Sequence, residues 1–220
     1  KQPYGRIVHL QPARWENDWL MIGDDQNNDG IGEPVATWKK PAVGKSYPSQ
    51  VPQTSDEFNT TKLGLQWQWQ ANPEPLWAYP TPYGFLRMNP VILNEIRNLW
   101  DAPNPLLQKM PAEEFSATTK VEFFHHFDSE KTGLIIMGRD YAYLALEQEE
   151  GKLMLKQVSK GGNCQFAYSL DGKKFTDFGK IFPAREGKWI GAKVGLFCSR
   201  SERENDGGYA NYDWFRIEKL

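Results

Sequence analysis

A chain of 220 residues with a formal net charge of −2, and no strong cluster of either sign, argues against a nucleic-acid or membrane-surface role. No apolar run approaches the roughly 20 residues of a membrane span. The aromatic content of 14%, with nine Trp, 19 Gly and 15 Pro, points to many short strands joined by turns.

In chain order, Arg6-Ile7-Val8-His9-Leu10 reads as a short strand and Trp19-Leu20-Met21-Ile22 as another. A polar turn over residues 24–30 leads to a third, Pro34-Val35-Ala36-Thr37-Trp38. Three strands in about 40 residues cannot bury a core alone, so residues 1–41 read as part of a β unit whose partners lie elsewhere. Residues 42–54 are polar and Pro-rich without periodicity, the composition of a linker. From 55 to 220 strand signals persist. Residues 63–70 alternate Leu65, Trp67 and Trp69 with Gln66, Gln68 and Gln70, which predicts a strand with one buried face. A Pro-rich turn at 72–75 precedes a short aromatic strand ending in Phe85-Leu86-Arg87, and a short helix is expected over 92–100. Further strands are predicted at 119–125, 133–137, 141–147, 152–158, 164–169, 193–198 and 212–218. Turn residues separate several of them: Glu150-Gly151, Gly161-Gly162-Asn163 and Asp171-Gly172. No helical pattern alternates with the strands, so the fold class is all-β, an antiparallel β-sandwich. Cys164 and Cys198 read either as one disulfide or as two buried thiols, and do not fix the compartment. The chain starts at Lys1 without a visible signal peptide and is expected to be a processed or excised piece.

Several segments in order carry a family resemblance. Residues 5–41 (GRIVHLQPARWENDWLMIGDDQNNDGIGEPVATWKKP) resemble the end of the catalytic five-bladed β-propeller of family 43 glycoside hydrolases, the β-xylosidases and α-L-arabinofuranosidases. Residues 56–88 resemble the start of the concanavalin A-like jelly roll that follows it; LWDAPNPLLQKM, YSLDGKKF, GAKVGLFCSR and ANYDWFRIE are similar to later parts of that domain. The resemblance implies terminal propeller strands at 1–41, a linker at 42–54 and the jelly roll at 55–220. It also implies a missing catalytic propeller as partner, a plant cell-wall oligosaccharide as ligand, and a secreted or periplasmic setting. The family's three catalytic carboxylates sit on earlier blades, so no residue here is assigned to catalysis and the chain alone is expected to be inactive.

Four residues carry site expectations. His9 is implied to be the propeller histidine facing the central channel; the alternative is a strand histidine held by one hydrogen bond. Asp56 and Asp213 are paired as candidate ligands of one structural calcium ion joining the first and last strands, against surface carboxylates or strand-end caps. Trp189, in the loop before Gly191-Ala192-Lys193-Val194-Gly195, is implied to reach the propeller's pocket and close a sugar subsite, against a core or interdomain Trp; the commoner family form here is Phe-Phe-Thr-Gly-Ala. Asp25-x-Asn27-x-Asp29-Gly30 matches half of a calcium loop but has Ala36 at the twelfth position, so a tight polar hairpin is expected. His125 and His126 point opposite ways in a strand and cannot share a metal. Trp67, Trp69 and Trp77 either fill a core or form a sugar platform. The latter would make the sandwich an independent lectin-like carbohydrate-binding module.

Overall fold

The computed structural model describes residues 3–6, 8–93, 98–147, 151–187, 189–201 and 206–220, with backbone alone for 151–159. By contacts the chain divides into Lys1–Arg6 with Pro52–Leu220, and Ile7–Val51. No helix occurs among the described residues.

The smaller unit is built on a hairpin of β1 (Ala13–Glu16) and β2 (Trp19–Ile22). Asn17 and Asp18 between them take φ of 49° and 64°, the paired left-handed conformation of a tight primed turn. Two sequence expectations fail here. Residues 8–10 belong to no strand, and neither do residues 34–38. Instead of a ladder, Val35 meets a side chain: its N–H donates to Gln11 Oε1, and Gln11 Nε2 donates to its carbonyl. Met21 is the unit's only buried apolar side chain among the described residues, while Trp15 and Trp19 are each 74% exposed.

The larger unit is a sandwich of two sheets. Its strands are β3 (Gln68–Trp69), β4 (Ala78–Pro80), β5 (Leu86–Met88), β6 (Val91–Ile92), β7 (Leu106–Lys109), β8 (Glu114–Phe124), β9 (Lys131–Met137), β10 (Tyr141–Glu147), β11 (Gly151–Lys160), β12 (Asn163–Ser169), β13 (Thr176–Pro183), β14 (Lys193–Arg200) and β15 (Tyr209–Lys219). One sheet runs β13-β12-β11-β8-β15-β5-β4; the other runs β10-β9-β14-β7-β3, with β6 alongside β14 in a parallel pairing. Gly161 and Gly162, with φ of 56° and 85°, close the β11–β12 hairpin. The Glu150-Gly151 turn falls partly outside the described residues, as does the expected helix at 92–100, whose described ends carry no helix.

Alternation places Phe115, Ala117, Val121 and Phe123 of β8 opposite Leu134 and Ile136 of β9 and Val194, Leu196 and Cys198 of β14 in the core between the sheets. The other faces of β9 and β14 are covered too. Leu99 and Ala102, on a strap before β7, pack with Leu107, Ile135, Met137 and Phe197. Burial on both faces explains the unbroken apolar run Leu134-Ile135-Ile136-Met137. Across the core, the Tyr212 hydroxyl lies 2.6 Å from Thr132 Oγ1, which donates to the Phe197 carbonyl. Burial raises the pKa of that phenol and pushes the Cys198 thiol up to about 12. Cys164 and Cys198 are buried, lie on different sheets and are not joined by a disulfide, so the disulfide alternative falls.

Candidate functional site

The loop between β13 and β14 is pinned at both shoulders. Arg185 pairs with Asp140, and the Arg139 N–H donates to the Glu186 carbonyl at 3.1 Å. On the far side Gly5 forms an antiparallel bridge with Ile190, and the Ala192 N–H donates to the Pro3 carbonyl at 2.5 Å. That approach needs glycine. A Cβ on Gly191 would sit 2.5 Å from the Tyr4 carbonyl carbon, and one on Gly5, already at φ 75°, would sit 2.2 Å from Gly191 N. Between these anchors Trp189 stands 66% exposed, with the Arg6 guanidinium 4.9 Å from its ring centroid.

Trp189 forms one wall of a cavity of about 290 Å³ that also takes in Gln70, Trp100, Met137 and Lys193. Trp100 is held by its indole N–H donating to the Gly138 carbonyl at 2.5 Å, and Gln70 Nε2 donates to the Trp100 carbonyl at 3.2 Å. Burial, then repulsion from Lys109, lowers the pKa of Lys193. Two indoles and a thioether offer apolar area to the C–H face of a sugar, while the amide and the ammonium offer hydrogen bonds. Among the described residues no Asp, Glu, His, Ser or Cys lines the cavity and Lys193 is its one ionisable side chain, an arrangement suited to binding.

The other expected site residues are dispersed. His9 is exposed and outside any strand, so the mid-strand position expected for it does not hold. Asp56 and Asp213 have separate partners. Asp56 is buried, pairs through its backbone with Phe215, and accepts hydrogen bonds from the Phe58 N–H and the Trp67 indole N–H, both at 2.9 Å. The Asp213 carboxylate meets the Lys120 ammonium. Protein donors thus engage both oxygens of Asp56 and one oxygen, Oδ2, of Asp213. Asp25 likewise spends its carboxylate on the backbone N–H groups of Asp29 and Gly30, giving a self-satisfied polar turn closed by the Asp24–Glu33 bridge. His126 Nδ1 lies 2.9 Å from Asp206, while His125 faces Phe123. Among the described residues no group of three or more His, Cys, Asp or Glu is placed to hold a metal.

Trp67 packs against Phe58 and Phe215 and Trp69 against Trp77, all as core or partly buried residues. The predicted long strand at 63–70 is only two residues; a turn at 64–67 throws Leu65 fully outward, contrary to the expected buried face. Gln70, Trp100 and Lys193 were not foreseen as neighbours of Trp189. The available signal was the aromatic, Pro-flanked stretch Leu99-Trp100-Asp101-Ala102-Pro103, too stiff and apolar for a bare connection.

The family model of the β-xylosidase C-terminal concanavalin A-like domain matches residues 55–161 and 145–218. The chain belongs to that family, in glycoside hydrolase family 43. It is 33% identical to a β-xylosidase of Formosa agariphila over 257 aligned positions, covering 97% of this chain and 43% of that protein. It is 35% identical to a putative β-xylosidase of Xylanibacter ruminicola, covering 89% of this chain and 40% of that protein. A solved family 43 protein from Bacillus licheniformis superposes with a TM-score of 0.72 at 23% identity, over 98% of this chain and 47% of that one, a likeness of fold. The family 43 chain thus spans under half the length of these relatives.

Proposed function

We propose that this chain is the C-terminal part of a family 43 glycosidase acting on xylan- or arabinoxylan-type glycans. The sandwich braces a catalytic propeller, and the loop at 185–191 delivers Trp189 to the sugar pocket. The observation carrying this reading is Trp189 itself: an indole 66% exposed on a loop anchored at both ends, beside a cavity that a second indole, Trp100, also lines. Anchoring limits the entropy lost when a ring is held against a sugar. The exposed Trp15, Trp19 and Trp38 of the Ile7–Val51 unit support a partner β surface, as a terminal piece of a propeller blade would require. The relatives' names supply the substrate class. An enzyme of this class meets its polysaccharide in a secreted or periplasmic setting.

Assay of aryl β-xylosides and α-L-arabinofuranosides tests the proposal. A protein joining a catalytic propeller to this chain should turn them over, and the 220-residue chain alone should not. Turnover by the purified chain at ordinary enzyme rates would overturn the assignment.

A further inference from the structure

On the same outer face of the six-stranded sheet, a second cavity of about 340 Å³ opens on the other side of the strap: Leu99 lines this one and Trp100 the first. Strand register explains its composition. Glu147, Lys131 and Ser199 are direct partners across β10, β9 and β14, so their side chains form one row on one face. Tyr143 and Tyr141 lie farther along β10 on that face, with rings 6.3 Å apart and 16° from parallel. Lys131 Nζ is 5.6 Å from the Tyr143 ring centroid and 3.9 Å from Glu147 Oε1.

Ser199 makes this more than a dent between strands. It is 1% exposed, lines the cavity, and its Oγ has no hydrogen-bond partner. A buried hydroxyl without a partner is a rare and costly feature that a guest hydroxyl would satisfy. Among the described lining residues Lys131 and Arg200 stand with Asp128 and Glu147, so neither sign of charge dominates there. Cation and carboxylate side by side supply both donor and acceptor, as neighbouring sugar hydroxyls require. Tyr143, 37% exposed, adds a ring face for C–H stacking.

We propose that this cavity is a second sugar site, taking one pentose unit of a neutral oligosaccharide and independent of Trp189. The substrate class rests on the functional reading above. Titration of the 220-residue chain with xylohexaose and with arabinoxylo-oligosaccharides, followed by calorimetry, tests it. Saturable binding in the millimolar range is expected. Tyr143→Ala and Lys131→Met should each weaken it about fivefold or more, the scale of one lost stacking or polar contact, while Lys173→Ala, an exposed position that lines neither cavity, leaves it within about twofold. Circular dichroism melts identify any variant that fails to fold; Lys131→Met, at a partly exposed position, keeps the test open if Tyr143→Ala does not. No saturable binding, undiminished affinity in folded variants, or binding that depends on Trp189 and not Tyr143 would overturn the proposal. Tyr143-dependent binding by this chain, with no hydrolysis by a propeller-bearing protein, would instead overturn the functional reading and leave this site standing.

Discussion

The segment from Asp56 to Trp77 and the loop at 185–191 both present tryptophan beside polar side chains, and the fold puts them to opposite uses. In the first, the Trp67 indole donates to a buried carboxylate and packs between Phe58 and Phe215, and Trp69 leans on Trp77. In the second, backbone anchors at Ile190 and Ala192 hold a tryptophan that stays exposed. What separates the core indole of Trp67 from the exposed one of Trp189 is the packing around the ring, which residue type does not reveal.

The contrast makes predictions of decreasing size. Trp67→Ala should destabilise the chain by about 3–5 kcal/mol in a urea melt, the range for removing a large buried aromatic. A loss below about 1 kcal/mol would mean that Trp67 is not a core residue. Asp56→Ala should cost about 2–3 kcal/mol by the same measurement, because it leaves the Trp67 and Phe58 N–H groups buried without acceptors. If added calcium raised the wild-type melting temperature and Asp56→Ala abolished the rise, the assignment of Asp56 as acceptor for these donors would fail.

A smaller effect lies at the rim of the same segment. Glu57 accepts two hydrogen bonds from Arg216, each 2.8 Å, which hold its carboxyl below its usual pKa. A depressed folded-state pKa contributes stability that is present above the unfolded value near 4.5 and lost as pH falls through the folded value. The pair is solvent-exposed, so Glu57→Gln should cost less than about 1 kcal/mol at neutral pH, with the difference from wild type closing in acid. A pH-independent difference would remove the ion pair from the account. Smallest of all, Trp189→Ala should change stability by no more than about 0.5 kcal/mol. A loss as large as that of Trp67→Ala would erase the distinction between the regions.

Much of the sandwich was legible because its strands alternate or run apolar between strong turn residues. Tyr141–Glu147 has the expected bounds, and Gly161-Gly162 marks a real two-residue hairpin. Expectations failed where a strand-like sequence has no ladder. Val35 exchanges its backbone hydrogen bonds with the Gln11 amide, and Leu65 sits at a turn that breaks the alternation around it. β propensity records fit to a pleated, half-buried surface, and a partner strand must exist to provide one. The cavity beside Trp189 was legible at one residue only. Gln70, Trp100 and Lys193 come from distant parts of the chain and meet through the strap and the sheet register, which a single sequence does not reveal.

The most direct test of the central claim is kcat/KM for an aryl β-xyloside, measured on a protein that joins a catalytic propeller to this chain, with Trp189 intact and with Trp189→Ala. The account predicts a fall of about tenfold or more, substantial rescue by Trp189→Phe and an unchanged melting temperature. Unchanged kcat/KM in a folded Trp189→Ala protein would contradict it and reduce the sandwich to a scaffold.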